Sequence, residues 1–276
     1  MHDVTQQPVS ECLASDAARC TVAEFLRWLG VSASDDSQPT SVCFPMRSVR
    51  NGQVLVQQGA DFESLYFVRA GSFKCSHIGR DGHEQVLTFA WAGDCIGFDA
   101  ICEGHHNAAA AALEDSVVVV APYGDIVNAA SGRLALQRLL LHSASCEVER
   151  RGAALHALAA VGAEVRIARF LLQVSARQSA LGHSGRHLRL VMSRRDIASY
   201  LGLAHESVSR SLSVLARAGL IRVQCREVQI IDPLGLRMTQ EPSRRTSGAS
   251  SGSNRPGSTP VEATRQSAAC PHSRFV

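Results

Sequence analysis

Apolar residues change their spacing partway along the chain. Between residues 42 and 122 they come in short runs separated by glycines, Asn-Gly and Asp-Gly pairs. The runs cover residues 54–56, 65–68, 72–78, 85–89 and 117–120. Many short strands with turn residues between them indicate a sandwich or barrel. The pair Asp81-Gly82, which lies between two of the runs, predicts a β-hairpin.

After residue 131 the spacing becomes helical. Six positions follow one another at alternating intervals of three and four, namely Leu141, Ala144, Val148, Arg151, Leu155 and Leu158. This pattern is typical of a helix that packs against its own twin, although a single buried helix could also produce it. Arg151 places a charge in the seam, which Glu147 one turn earlier could offset. Because Gly152 and Gly162 also lower helix propensity, we expect a marginal pairing.

Residues 192–231 predict two short helices followed by a small hairpin. Ser193 can cap the first helix, and Gly202 can end it because a tight turn needs a residue that tolerates positive φ. The second helix should run over residues 205–216 and end before Gly219, with strands at 220–223 and 228–231. Two helices around a glycine turn, followed by a β wing, are typical of a winged helix-turn-helix.

One face of the second helix carries side chains suited to reading DNA. Glu206, Ser209 and Arg210 lie opposite the apolar Val208 and Leu212. An arginine can bond a guanine through two hydrogen bonds, and a glutamate can accept one from cytosine N4. Such a face is more often merely solvated, but the glycine turn favours base reading by these three residues. Phosphate contact or support is assigned to Arg194, Arg195, His205 and Ser207.

The distribution of charge supports a polyanionic partner. The chain has 276 residues and a net charge of only +3. Residues 1–130 hold 7 basic and 16 acidic side chains (net −9), whereas residues 131–240 hold 16 and 7 (net +9). A basic half of this kind is expected to meet nucleic acid. Lys74 is the only lysine, so arginine would make the DNA contacts.

The composition also sets the expected compartment. No apolar run approaches the roughly 18 residues that a membrane helix needs. The chain begins without the basic and apolar order of a secretory signal. Its nine cysteines are scattered, which favours reduced thiols over a disulfide framework. We therefore expect a cytoplasmic protein with no membrane partner.

The segment 194–210, Arg-Arg-Asp-Ile-Ala-Ser-Tyr-Leu-Gly-Leu-Ala-His-Glu-Ser-Val-Ser-Arg, resembles the recognition motif of the CRP/FNR superfamily of bacterial transcription regulators. Its Glu-x-x-Ser-Arg order, at Glu206, Ser209 and Arg210, is closer to the FNR/FixK branch than to CRP. Upstream, residues 64–71, 82–85, 93–94 and 97–106 resemble the β-roll of that superfamily. The resemblance covers about residues 43–235.

The resemblance implies an α+β fold: an N-terminal antiparallel β-roll (a cupin-like jelly roll), a long dimerisation helix and a C-terminal winged helix-turn-helix. The expected divisions are an extension over 1–40, a β-roll sensor over 41–130, the dimerisation helix over 131–160, the DNA-binding domain over 161–236 and a disordered tail over 237–276.

The resemblance also implies partners. These are a second copy of the chain, double-stranded DNA with half-sites like TTGAT, and RNA polymerase, which an activator of this type contacts. One activating surface of the superfamily lies at the predicted hairpin tip, formed here by Arg80, Asp81, Gly82 and His83.

Two effectors of the superfamily do not fit this sequence. The stretches that match the cyclic-nucleotide pocket read Gly-Phe-Asp at 97–99 and Asn-Ala-Ala at 107–109, without the arginine that binds the phosphate. A buried phosphate without a countercharge is costly. Cys12, Cys20 and Cys43 are too far apart for the iron–sulfur ligands of FNR proteins, and residues 117–120 lack a thiol. We predict no cofactor.

Other sensing chemistry remains open. Cys75 and His77 share one strand face and could ligate heme iron or another metal, although such a pair is more often part core and part surface. Cys225 lies in the predicted wing between Arg222 and Arg226 and could make DNA binding redox-sensitive. Two further cysteines are expected to be small buried hydrophobes, Cys95 and Cys102.

Three alternatives to an effector-controlled regulator follow. One is a heme- or metal-dependent gas sensor of the same fold, and another is a regulator without a ligand, controlled by its own abundance. The third is a cupin-like metalloenzyme with a metal held by His77, His83, His105 or His106. A cupin metal site normally uses His-x-His, whereas the two central histidines here are adjacent. We therefore do not predict an enzyme.

Overall fold

The computed structural model describes residues 19–30, 42–159 and 162–239. The strands are β1 (Arg19–Thr21), β2 (Cys43–Val49), β3 (Val54–Val56), β4 (Ser64–Ala70), β5 (Ser72–Ile78), β6 (Glu84–Trp91), β7 (Cys95–Ile96), β8 (Ala109–Ala112), β9 (Ser116–Pro122), β10 (His187–Arg189), β11 (Ile221–Gln224) and β12 (Glu227–Ile230). The helices are α1 (Val22–Trp28), α2 (Tyr123–Ala130), α3 (Leu134–Leu158), α4 (Ala163–Ala180), α5 (Arg194–Leu201), α6 (His205–Arg217) and α7 (Pro233–Met238). The predicted tail begins at residue 237, but α7 continues through Met238 because Asp232 caps its first turn, so the first residues of that tail are helical. Residues 240–276 lie outside the described residues.

The first half of the chain is a β-roll of two antiparallel sheets. Their strand orders are β1-β2-β9-β4-β7 and β3-β8-β5-β6. Val68, Phe73 and Val118 are fully buried between the sheets. The other face of the five-stranded sheet, with Phe44 and Phe67, is covered by α1, α2 and the start of α3. This arrangement confirms the predicted antiparallel β-roll.

The segment Arg19–Trp28 packs on the β-roll and contributes four buried side chains to its core, Cys20, Val22, Phe25 and Leu26. β1 pairs with β2, and Phe25 of α1 is fully buried against Phe44 and Phe67. Thr21 and Glu24 form a capping box that starts the helix. These residues fall within the expected extension over 1–40, because the resemblance begins only after them.

α3 is a single helix of 25 residues that leaves the β-roll and leads to the DNA-binding domain. It begins at Leu134 and ends at Leu158. Gly152 lies within it, but Gly162 does not; Gly162 precedes α4 as its N-cap, in extended backbone. Only one of the two glycines that we expected to weaken the helix therefore acts on it.

The second half forms the winged helix-turn-helix. α5 and α6 pack on α4 around a core that includes Ile167, Leu171, Ile197, Val208 and Leu212. β10, β11 and β12 form one antiparallel sheet, in which β11 and β12 are the predicted wing. α6 extends one residue beyond the predicted end.

Candidate nucleic-acid interface and sensor cavity

The first helix of the motif, α5, is fixed at both ends. Ser193 accepts a hydrogen bond from the Asp196 amide, and the Asp196 carboxylate accepts one from the Ser193 amide. At the other end Gly202 adopts φ 58° and ψ 44°, in the left-handed region. The left-handed conformation favours glycine, and a Cβ there would lie 3.1 Å from the Leu158 Cδ2, close enough to make that side chain shift.

The second helix, α6, presents the predicted base-reading residues to solvent. Glu206, Ser209 and Arg210 are exposed, while Val208 and Leu212 on the opposite face are buried. The helix begins at His205, also exposed, and its N-cap residue Ala204 makes no side-chain hydrogen bond to the first turn. Ser207 is partly buried in that turn. The polar face of α6 is therefore exposed, and no side chain caps the first turn, in which the Ser207 amide donates to the Ala204 carbonyl at 3.0 Å.

The two arginines at the start of α5 differ in their surroundings. Arg195 is exposed. Arg194 is half-buried, its Nη2 donates to the Cys225 carbonyl at 3.0 Å, and its buried Nη1 has no hydrogen-bond partner among the described residues. Burial lowers the pKa of Arg194. Arg194 thus supports the wing turn, and of the two only Arg195 has the exposure expected of a phosphate contact.

Cys225 forms the tip of the wing. It is exposed and has φ 51°, a value that non-glycine residues seldom adopt. The Arg194 hydrogen bond to its carbonyl helps to hold this turn. The redox role considered for Cys225 stays a prediction.

The helical seam is largely uncovered in the single chain. Leu141, Val148 and Leu155, spaced by seven residues, have exposures of 73%, 72% and 68%. Ala144 and Leu158 are partly buried, and Arg151 is exposed and paired with Glu147 at 2.7 Å. The seam is therefore a stripe on the surface of α3, which rules out the alternative of a helix buried within one chain.

A cavity of about 400 Å³ lies between the β-roll, α3 and α5. Its walls include Cys75, Gln85, Asp99, His106, Glu147, Arg150, Arg151 and Tyr200. Burial lowers the pKa of His106, which favours the neutral imidazole. Gly97, Asp99 and Ala108 lie in its wall and come from the stretches that resemble the cyclic-nucleotide pocket, so the lining of the cavity bears on that effector.

The positive charges that line the cavity already have partners. Its two arginines are already paired: Arg150 with Asp94 and Glu147, and Arg151 with Glu147. The β-roll strands that line it contribute no cation to its wall, and Asp99 adds a negative charge. A phosphate there would compete with Asp94 and Glu147 for the two guanidinium groups.

The side chains considered as metal ligands do not lie together in the structure. Cys75 lines the cavity, and burial raises its pKa to about 12, whereas His77 is exposed and its Nδ1 lies 3.0 Å from the Asn107 carbonyl oxygen. His105 is exposed beside Glu103, while His106 is buried in the cavity. Within the described ranges, no three His, Cys, Asp or Glu side chains form a group able to hold a metal ion.

Cys95 and Cys102 were both expected to be buried, but they differ in the structure. Cys95 is buried in β7, as predicted. Cys102 is exposed, so the prediction for it was wrong. It lies in the turn that follows Ile101, where the chain leaves the sheet and its side chain faces solvent.

The tip of the β5–β6 hairpin, predicted as a contact for RNA polymerase, is an exposed turn. The tip that joins β5 to β6 is exposed at all four positions, Arg80, Asp81, Gly82 and His83. Asp81 accepts a hydrogen bond from the His83 amide at 3.0 Å, and Gly82 has φ 78°. The tip is therefore an ordered turn at the protein surface.

A β-roll followed by a long helix and a winged helix-turn-helix is the architecture of a class of DNA-binding transcription regulators. Two known domain families match the chain. The cyclic nucleotide-binding domain matches residues 46–132, and the Crp-like helix-turn-helix domain matches residues 165–239. The chain belongs to the CRP/FNR superfamily of transcription regulators.

Named relatives agree with this assignment. The Anaerobic regulatory protein of Pasteurella multocida is 34% identical over 218 residues, which cover 79% of this chain and 80% of the relative. The Transcriptional regulatory protein btr of Bordetella pertussis is 34% identical over 228 residues, covering 82% and 94%. The structure of FixK2 from Bradyrhizobium japonicum matches with a TM-score of 0.66 and 26% identity, over 73% of this chain and 100% of that one.

Among the described helices, none combines the length and the apolar character needed to cross a bilayer.

Proposed function

We propose that the protein is a homodimer that binds a palindromic, FNR-like DNA site and activates transcription. The observation that carries this proposal is the polar face of α6, where Glu206, Ser209 and Arg210 are exposed together opposite a buried apolar face. Arg210 would bond a guanine through O6 and N7, and Glu206 would accept from a cytosine amine. Ser209 lies between them and would help to distinguish an FNR-like half-site from a CRP-like one.

Phosphate contacts would orient α6 in the groove. The amides of its first turn lack a side-chain cap, and a phosphate at a helix N-terminus accepts such hydrogen bonds. His205 and Arg195 are both exposed near this end of the motif. These contacts would supply affinity without sequence preference.

Dimerisation would occur along α3. Leu141, Val148 and Leu155 form an exposed apolar stripe, and a second copy of the same helix would cover it. Two recognition helices would then enter successive major grooves about 34 Å apart. A palindromic site follows from the two-fold symmetry of such a dimer.

The remaining roles follow from family membership. RNA polymerase would contact the tip formed by Arg80, Asp81, Gly82 and His83, and the protein would act in the cytoplasm without enzymatic activity. Several relatives carry the name Anaerobic regulatory protein, which supports a signal related to oxygen or redox state. The pairing of Arg150 and Arg151 with carboxylates disfavours a cyclic nucleotide, so we do not propose one as the signal.

The test is a binding-site selection with the full chain, combined with sedimentation. We expect an inverted repeat of TTGAT-like half-sites and a dimer as the bound species. Val148→Asp should yield monomers that no longer bind the repeat, whereas Glu149→Gln, an exposed neighbour outside the seam, should bind normally. Selection of a single unrepeated motif, or tight binding by the Val148→Asp monomer, would contradict the proposal.

A further inference from the structure

The DNA-binding domain is attached to the β5–β6 hairpin of its own sensor. The Ser199 hydroxyl of α5 donates to the Glu84 carbonyl at 2.9 Å and accepts from the Val86 amide at 2.8 Å. The Gln85 side chain donates to the Ser199 carbonyl. Ser199 thus forms hydrogen bonds with three consecutive residues of β6, Glu84, Gln85 and Val86.

An ion-pair network lies beside this serine. The Lys74 ammonium is 3.0 Å from Asp196 of α5 and 2.8 Å from Glu84 of β6. Although burial opposes it, pairing with the two carboxylates raises the pKa of Lys74. Asp196 is also the capping-box residue of α5, so the hairpin is joined to the N-terminal turn of the helix-turn-helix.

Aromatic packing and a second ion cluster reinforce the attachment. The ring of Phe89 in β6 lies 5.2 Å from Tyr200 of α5 and 6.2 Å from Phe170 of α4. Asp94, which follows β6 and is 3% exposed, pairs with Arg150 of α3 and Arg177 of α4. The sensor therefore contacts the DNA-binding domain on two of its helices.

The same hairpin forms a wall of the cavity. Residues 85–88 of β6 line it on one side, and Tyr200 and Gly202 line it on another. Gln85 both lines the cavity and bonds to Ser199. A change in the contents of the cavity would therefore act directly on the contact between the hairpin and α5.

We propose that this contact, which we call the latch (Lys74, Glu84, Gln85 and Val86 with Asp196 and Ser199), sets the orientation in which the DNA-binding domain reads a palindrome. The inference rests on the proposed function and deepens it. Two recognition helices must be held at one spacing to engage both half-sites. Because only the latched fraction can do so, the apparent Kd is the intrinsic Kd divided by that fraction.

The latch leaves the reading surface free. It uses Asp196 and Ser199 of α5, whereas Arg210 and Glu206 of α6 remain exposed. Opening the latch should therefore change how the two domains are arranged without changing how one α6 meets one half-site. This distinction allows the latch and the recognition helix to be tested separately.

The experiment compares two DNA probes, the full palindrome and a single half-site, in fluorescence anisotropy with the full-length protein. The variants are Ser199→Ala, which removes two hydrogen bonds, Ser199→Leu, which also crowds the strand, and Lys74→Gln. Matched controls are Ser179→Ala, on the exposed end of α4, and Arg50→Gln, which removes one cation from the β-roll. Circular dichroism checks that each variant is folded.

Losing a hydrogen bond or two should lower the ratio of latched to open domain roughly threefold to tenfold, so we expect Ser199→Ala and Lys74→Gln to weaken palindrome binding by up to that factor. Ser199→Leu should weaken it further, while half-site affinity and both controls stay at the wild-type value. Unchanged or tighter palindrome binding in Ser199→Leu would overturn the proposal, and so would an equal loss on the half-site.

Hydrogen exchange gives a readout that does not depend on DNA. In the latch variants, amides of residues 84–91 and 194–201 should exchange faster than in the wild type, and the controls should not change. If wild-type protein failed to bind any palindrome, the proposed function would be wrong, yet the latch would still be measured here. Unaltered exchange in Ser199→Leu would refute the latch alone.

Discussion

Arg210 and Glu206 are exposed one turn apart on α6, and each suits a different base. Arg210→Ala should cost roughly 1–3 kcal/mol per half-site and relax the preference for its guanine. Glu206→Ala should lose discrimination at its own position with a smaller loss of affinity, because it also removes a charge that phosphate repels. Binding-site selection on both variants measures these effects. An unchanged motif with Arg210→Ala would show that another residue reads the guanine.

The neighbouring arginines of α5 should behave differently from each other. Arg195 is exposed, so Arg195→Ala should weaken binding to all sequences about equally and reduce the salt slope by about 1. Arg194 is bonded to the Cys225 carbonyl, and Arg194→Ala should instead lower the melting temperature by releasing the wing turn. Titrations at two salt concentrations, together with thermal melts, separate the two roles. A reduced salt slope for Arg194→Ala without loss of stability would reverse the assignment.

These residue-level roles were predictable to different degrees. The helix-turn-helix could be located because Ser193, Gly202 and the apolar spacing are local signals that act within a few residues. The partner of Arg194 could not be predicted, because its hydrogen bond spans 31 residues and depends on how the wing folds back. The same limit applies to Ser199 and Lys74, whose contacts join strands and helices more than 100 residues apart.

Among the elements, α3 carries the most direct prediction. Arg151 lies in the seam beside Glu147, which already pairs with Arg150. In a dimer two copies of Arg151 would be desolvated near each other, so Arg151→Leu should tighten dimerisation by about 1–2 kcal/mol. Sedimentation equilibrium measures the change, with Glu149→Leu on the same helix as the control. An unchanged or weaker dimer would mean that Arg151 lies outside the interface.

Local sequence predicted some elements better than others. The strands at 54–56 and 72–78 were located because β-prone residues lie between turn signals. β8 was missed because it consists of four alanines, which have little strand preference of their own. It exists because β3 and β5 pair with it on either side, and that information is not local.

At the scale of the whole molecule, pH should act on stability in two ranges. Burial lowers the pKa of His106, so the unfolded chain takes up a proton below about pH 6.5 before the folded one does, and stability falls as the pH decreases. Hydrogen bonding by Lys74 lowers the pKa of Glu84. Asp196 is partly buried, but hydrogen bonds from Ser193 and Lys74 lower its pKa. Glu147 is also partly buried, and pairing with Arg150 and Arg151 lowers its pKa. Stability from these carboxylates is present above about pH 4.5 and is lost as the pH falls through their lowered values.

Thermal melts between pH 3 and pH 8 test both ranges. His106→Gln should flatten the upper range and leave the acidic loss of stability in place. Glu147→Gln should reduce the acidic loss. A profile for His106→Gln that matches the wild type between pH 5 and pH 7 would show that His106 does not titrate as described.

Lys74 gives the latch a chemical label. It is the only lysine in the chain, so a reagent that acylates amines can react with one side chain and the N-terminus. In the closed latch its ammonium is partly buried between Glu84 and Asp196, and its raised pKa keeps the reactive free amine scarce. The rate at which Lys74 acquires an acyl group, followed by peptide mass, therefore measures the open fraction of the unmodified wild-type protein. The chain thus supplies its own probe for searching for the signal, since a ligand that shifts the latch will change that rate.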